Sequence, residues 1–387
     1  MSLEKFIFYA PVRFDFGVGV SAKTGQELKN LGCKKAMIIT DQGIVKAGIV
    51  DKIKKSLDSE GIGNVVYSSV KANPSIENAE EACKLYKNEK CDCLIGLGGG
   101  SCMDAAKAAG VVINNSRGAK DYADGNVENK IPPLITIPTN AGTGSELNAA
   151  AVITDSKNKV KFCIFNWDKC SPLMALSDPE LTVSVPPKLT AYQGIDVLSH
   201  GIEAYTSKYA TSITDAIALY TIDLVSNNLR QAYSKGYDLE ARSNMLKASA
   251  FSGMAECNSW VGNAHAMSQS LGGYYDLPHG LLCGLFMPYV MEYNMLAAPQ
   301  KFIILAKTLG ENVDNLSVMD AAYKSVVAVK RLLSDLDMPT LKELGVKEAD
   351  FQKLAEQSSV DNCAPGNIRT TSVDDFKELL ERTYNNL

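Results

Sequence analysis

The 387-residue chain contains only three histidines, His200, His265 and His279. Asp196 precedes His200 by one helical turn within L-T-A-Y-Q-G-I-D-V-L-S-H, so a helix there projects both side chains from one face. His265 and His279 flank the segment Leu271 to Pro278, whose glycines permit a sharp reversal that returns both rings to one point. An aspartate and three neutral imidazoles give a divalent cation four ligands with one net negative charge. That set leaves room for a substrate oxygen, as a catalytic rather than a purely structural site requires. A lone histidine is more often a satisfied core or surface residue. Three of them in apolar, glycine-flanked helical context favour the cation.

A second chemistry is written in glycine. The β-rich run Cys91 to Leu97 leads straight into Gly98-Gly99-Gly100-Ser101, and a helical pattern starts at Cys102-Met103-Asp104. Bare glycines at a strand-to-helix turn let backbone amides approach a pyrophosphate; they also serve where a strand and a helix merely pack closely. The order departs from the usual dinucleotide fingerprint, in which an acidic residue follows the glycines by ~20 positions. Here the acidic candidate, Asp41, comes first, at the end of the run Ala36 to Thr40. Its carboxylate suits an adenosine ribose and would repel a 2′-phosphate, but a helix-capping role in T-D-Q-G fits equally. A second loop, Pro138 to Glu146, is dense in glycine and hydroxyls and suits a phosphate, a nicotinamide amide or a helix cap.

These residues need elements to hold them. Up to about residue 182, β-rich runs (36–40, 64–68, 91–97, 134–137) alternate with amphipathic stretches (44–59, 76–88), with Asn73-Pro74-Ser75 as a start signal for the second. This predicts an α/β domain with a largely parallel sheet and crossover helices. After Pro186-Pro187 the apolar residues fall at three-four spacing, which predicts an all-helical second half. The expected domains are 1–185 and 186–387, with a site in the crevice between them. Cys91 and Cys93 are expected in the core.

Composition narrows the functions. Net charge is −5, with 39 basic and 44 acidic residues, which gives no excess to neutralise nucleic acid. No signal-peptide layout and no 18-residue apolar run occurs, so a cytoplasmic protein with no membrane partner is expected, its ten cysteines reduced.

The chain resembles the iron-dependent, group III, alcohol dehydrogenases of the dehydroquinate synthase-like superfamily over essentially its full length. The matching stretches are G-L-G-G-G-S-C-M-D-A-A-K, I-P-T-N-A-G-T-G-S-E, G-I-D-V-L-S-H-G-I-E-A-Y and H-A-M-S-Q-S-L-G-G-Y-Y-D-L-P-H-G. The resemblance implies an N-terminal dinucleotide-binding domain, a helical metal-binding domain, and a homodimer or higher homo-oligomer. By position it makes Asp196, His200, His265 and His279 ligands of iron, with zinc the alternative. It assigns Gly98, Gly99, Gly100, Ser101 and Asp104 to the pyrophosphate loop and its helix, and Thr139, Thr143 and Lys161 to further NAD contacts. Asp41 falls where NAD-preferring members carry an aspartate, and Asn73 lines the cofactor cleft. Two positions depart from the pattern. Gln269 stands where many members carry a histidine near the nicotinamide, so that position holds no group that titrates near neutral pH, and no catalytic acid or base is assigned. Glu256 puts a carboxylate where relatives often place an aromatic beside the substrate.

The expected reaction is reversible hydride transfer between a primary alcohol or aldehyde and NAD. Glycerol dehydrogenase-like polyol oxidation is the alternative. A dehydroquinate synthase-like lyase would need a basic pocket, and no lysine and arginine cluster lies beside the ligand positions in the helical half.

Overall fold

A computed structural model describes residues 5–385. The chain divides after Val185 into two compact units, with residues 5–8 clustering with the second.

The first unit carries eight strands: β1 (Arg13–Phe16), β2 (Lys35–Ile39), β3 (Gly63–Tyr67), β4 (Cys93–Gly98), β5 (Leu134–Pro138), β6 (Ala150–Asp155), β7 (Val160–Phe165) and β8 (Met174–Ser177). Its helices are α1 (Thr24–Asn30), α2 (Gln42–Lys46), α3 (Ile49–Ser59), α4 (Ile76–Asn88), α5 (Gly100–Asn114) and α6 (Trp167–Cys170). Six strands form a parallel sheet in the order β1-β8-β5-β4-β2-β3. Strand β4 is apolar and fully buried, as a strand covered on both faces must be. Separate apolar clusters cover the two faces, one including Met37, Leu94 and Ala105, the other Ile38, Ile95 and Leu57.

The chain runs outward from β2 to β3, then returns to lay β4 on the other side of β2 and continues away from it through β5. Such a reversal opens a crevice beyond the carboxyl ends of the two strands at the switch point. Strand β4 ends in the glycines and β2 leads to Asp41. The inverted order along the chain is therefore the usual arrangement in space, an acidic residue at the end of the strand beside the glycine-bearing one.

Three local expectations change. The stretch 44–59 is two helices, because Gly48 adopts a left-handed φ of 71° after α2 and ends it. Cys91 is buried but precedes the strand, which starts at Cys93. Strands β6 and β7, absent from the sequence reading, pair as a separate antiparallel ribbon. The start signal at Ser75 stands: its hydroxyl accepts from the amide of Asn78, whose side chain accepts from the Ser75 amide.

The second unit is helical: α7 (Pro187–Thr206), α8 (Ser212–Ser234), α9 (Leu239–Ser259), α10 (Asn263–Tyr275), α11 (His279–Asn294), α12 (Pro299–Thr308), α13 (Val318–Asp335), α14 (Phe351–Ser359) and α15 (Val373–Asn385). From Thr190 to Thr206, α7 is buried at all but one position, Gln193, so it is the central helix of the unit.

Candidate functional site

Helix α7 carries Asp196, His200 and Glu203 at three-four spacing, hence on one face, each under 5% exposed. Neighbouring helices come close because glycines let them. A Cβ on Gly280 would lie 2.7 Å from the Asp196 Cβ, so the start of α11 can approach α7 only with glycine there. His279, the residue before it, thereby places Nε2 4.0 Å from Asp196 Oδ1.

His265 enters from the start of α10. Glu203 accepts from the amides of Gly262 and Ala264 at 2.8 and 2.7 Å, and lies 2.6 Å from His265 Nδ1. The carboxylate thus fixes the helix start and makes Nδ1 the protonated nitrogen, leaving Nε2 bare. His279 is set by the same logic. Ser268 Oγ gives its one proton to the His279 carbonyl at 2.9 Å, so the 2.9 Å contact with Nδ1 is a bond that the ring donates. The ring centroids of His200 and His265 are 4.4 Å apart, those of His265 and His279 5.4 Å.

Two carboxylates and a thiol complete the cluster. Asp196, His265, His279 and Cys283 each bring a ligand atom within 4.8 Å of the others, and so do His200, Glu256 and His265. Glu256, in the last turn of α9, holds Oε2 2.9 Å from His200 Nε2. Burial opposes charge on His200, but Glu256, with Asp196 and Glu203 behind it, prevails and holds the imidazolium up to about 9. Burial and the Asp196 charge push the Cys283 thiol far above its usual range.

Asp196 Oδ1 and His265 Nε2 are buried without a hydrogen-bond partner. A bare pair of this kind costs stability, about 1–3 kcal/mol for each group, unless something else satisfies it. A divalent cation would, and the donor set of imidazole and carboxylate suits one.

Of the four expected ligands, Asp196, His265 and His279 gather with Cys283, and His200 joins them through His265, but not by the expected turn. Gly272 and Gly273 lie inside α10, and the reversal falls on Asp276, at a left-handed φ of 55°, and Pro278. Tyr274 and Tyr275, whose hydroxyls both donate to Asp350, hold the helix through its glycines. Gln269 donates to Cys363 Sγ at 3.0 Å. Glu203, Ser268 and Cys283 escaped the sequence reading. Glu203 follows His200 by three and Cys283 follows His279 by four, so the helical rule that paired Asp196 with His200 finds both.

In the α/β unit, extending the β2–β4 register past Ile39↔Gly96 sets Asp41 beside Gly98. Asp41 Oδ1 caps α2, accepting from the Gly43 and Ile44 amides, and Oδ2 receives Cys102 Sγ at 3.3 Å. Each loop glycine also serves packing. A Cβ on Gly98, Gly99 or Gly100 would lie 2.6 Å from Cys102 Sγ, 2.4 Å from Asn140 Nδ2 or 2.5 Å from Thr143 Oγ1. The two loops are therefore pressed together, and the first turn of α5 starts without a side-chain cap. Thr139 is buried, its amide donating to the Gly98 carbonyl.

The backbone on either side of Asn73 is tied both to the glycine loop and to the ribbon that carries Lys161. Ser101 donates to the Ala72 carbonyl at 2.5 Å, and Thr154, the cross-strand partner of Lys161, donates its amide to the Pro74 carbonyl at 2.8 Å. Asp104 faces inward: it accepts from Ser145 Oγ and the Val152 amide and stands 3.8 Å from the buried Lys107 ammonium.

The model for iron-containing alcohol dehydrogenase matches residues 11–179, and that for the C-terminal part of the Fe-containing alcohol dehydrogenase family matches 190–384. The chain is 39% identical to the 1,3-propanediol dehydrogenase of Citrobacter freundii, over 99% of this chain and all of that one. A crystal structure of 1,3-propanediol oxidoreductase, 37% identical, superposes with a TM-score of 0.96 over 98% of this chain and all of the other. A sulfoacetaldehyde reductase from Bifidobacterium kashiwanohense in complex with NAD+ is 29% identical, with a TM-score of 0.89 over 99% of this chain and all of that one. With both halves matched in register, the chain belongs to the iron-containing alcohol dehydrogenase family.

Proposed function

We propose that this protein catalyses reversible hydride transfer between a primary alcohol or its aldehyde and NAD, with a divalent cation held by Asp196, His200, His265 and His279. One observation carries the reading: buried Asp196 Oδ1 and His265 Nε2 are bare among three imidazoles. Bound there, the cation supplies Lewis acidity to the alcohol or carbonyl oxygen. Iron is the family's metal and the cation we assign; zinc suits the same donors.

The residues of the helical unit orient and exclude. Glu203 and Ser268 hold the Nδ1 protons of His265 and His279, so both rings present Nε2 in one tautomer. Gln269 neither takes nor gives a proton near neutral pH. The α/β unit, residues 9–185, binds the dinucleotide. The amides at the start of α5, with Gly98 to Ser101, Thr139 and Thr143, would hold its pyrophosphate, and Asn73 and Lys161 would add contacts to it. Asp41 accepts from the ribose hydroxyls and repels a 2′-phosphate, so NAD is preferred over NADP. Hydride chemistry belongs to NAD, and the protein contributes orientation.

A homodimer or higher homo-oligomer and a cytoplasmic location are further parts of this proposal; no helix among the described residues is long and apolar enough to cross a membrane. The test is NADH absorbance with a panel of short primary alcohols and aldehydes, on protein loaded anaerobically with ferrous iron. Turnover with several of them is expected; none with any would overturn the assignment.

A further inference from the structure

The ligand set above leaves Glu256 unexplained. Its carboxylate is neither on the surface nor turned away from the cluster. The side chain is 15% exposed, and Oε2 lies against His200 Nε2. The two groups of potential ligand atoms, Asp196-His265-His279-Cys283 and His200-Glu256-His265, share His265. Its single bare nitrogen, Nε2, serves one cation, because Nδ1 is held by Glu203. The two groups meet at that nitrogen, with His200 and Glu256 on one side of it and Asp196, His279 and Cys283 on the other; one cation holds both sides once the side chains draw in, since ligands at about 2.1 Å lie no more than ~4.2 Å apart.

The spacing is informative. With bonds of about 2.1 Å, two ligands of one cation lie ~3.4 Å apart in a tetrahedron and ~3.0 Å apart at a right angle. His200 Nε2 and Glu256 Oε2 are 2.9 Å apart. The same 2.9 Å accommodates an ion pair when no cation is bound, so one placement of the two side chains serves both states. Charge agrees: two carboxylates and three neutral imidazoles balance a divalent cation, where Asp196 alone leaves it one positive charge in excess.

We propose that Glu256 is a fifth protein ligand to the catalytic cation, cis to His200, making a site of five or six ligands that favours ferrous iron and its octahedral neighbours over tetrahedral zinc. This rests on the metal assignment proposed above. It gives this chain a cation with one open face, bound more tightly and with its Lewis acidity moderated by the second carboxylate.

The test uses the full chain, stripped by a chelator and reloaded with Co2+, whose visible bands strengthen several-fold as coordination falls from six or five toward four. Chelator competition gives the affinity. Weak bands are expected in the wild type. Glu256→Ala and Glu256→Gln should intensify them several-fold and weaken Co2+ binding about tenfold or more, with Glu256→Asp in between. Identical spectra and affinities in wild type and Glu256→Ala would overturn the proposal while leaving the four-ligand site standing. Weakened affinity with an unchanged spectrum would also overturn it, since Glu256 would then act only through its charge on His200. A wild type that binds no Co2+ would overturn the metal assignment itself, and this proposal with it.

Discussion

In the α/β unit, the polar side chains assigned to the cofactor are already engaged within the fold: Ser101 with Ala72, Asp104 with Ser145 and Val152, and Asp41 with the amides of its own helix. In the helical unit, Asp196 Oδ1 and His265 Nε2 are buried and bare. The contrast follows from what each ligand needs. A pyrophosphate is held by backbone amides and by space, so nearby side chains are free to stabilise the loops. A cation needs side-chain lone pairs, which must be kept unpaired at a cost to the fold and aimed by residues behind them.

Removing a bare ligand should therefore abolish function and spare the fold. His265→Ala is expected to lose the cation and all measurable turnover, while between the two cation-free proteins the melting temperature falls only modestly, because removal of the unsatisfied Nε2 partly offsets the lost Nδ1 bond to Glu203. Metal analysis beside a melting curve checks this; normal metal content would break the comparison. Removing an engaged side chain of the α/β unit should do the reverse. Asp104→Ala strips the buried Lys107 of its carboxylate neighbour and the Val152 amide of its acceptor, which should cost about 3 kcal/mol. Urea unfolding reads it, and a near-neutral result would show that Asp104 is not a fold residue.

Glu203→Gln lies between the two. It keeps the size of the side chain but removes the charge that holds His265, and cation affinity should fall about 10- to 100-fold. Chelator competition measures the loss; unchanged affinity would mean that His265 is aimed by packing alone.

The His200 contact with Glu256 gives a pH signature. His200 is held up to about 9 when folded, against an ordinary value of 6.5. The raised value stabilises the folded chain fully below pH 6.5, and that contribution is lost as pH rises toward 9. The cation-free protein should therefore melt at progressively lower temperature across this window, and cation uptake within it should release a proton. Melting curves in chelator against pH test both the window and the sign; a rising Tm would contradict it. The smallest effect concerns Asp41. Asp41→Gly should narrow the preference for NAD over NADP, read as the ratio of kcat/KM, and lower stability by only a few tenths of a kcal/mol, because glycine is itself tolerated at the cap. An unchanged ratio would leave Asp41 a cap and nothing more.

Scarcity and spacing drew attention to the imidazole and carboxylate cluster: three histidines in the whole chain, with an aspartate one turn from the first. What lay behind the ligands was less so. Glu203 and Ser268 are ordinary residues whose roles depend on which helix packs opposite. In the α/β half the glycines and Asp41 could be read as a dinucleotide pair, but their adjacency needed the sheet order, which no local pattern carries. The β6–β7 ribbon carries a signal of its own in V-K-F-C-I-F, but as a hairpin it lies outside the alternation of strand and helix that marks a parallel sheet. The reversal before His279 was misplaced because the contacts of Tyr274 and Tyr275 with Asp350 outweigh the local cost of two helical glycines.

The central claim, that the Asp196, His200, His265 and His279 cluster makes this protein a cation-dependent alcohol dehydrogenase, is tested most directly by anaerobic titration of the stripped protein with ferrous iron, following bound metal and NADH formation from alcohol together. The account predicts no turnover without the cation, turnover rising in proportion to iron bound up to one equivalent per chain, and neither in His265→Ala. Full turnover in the stripped protein, or iron bound equally by wild type and His265→Ala, would contradict it.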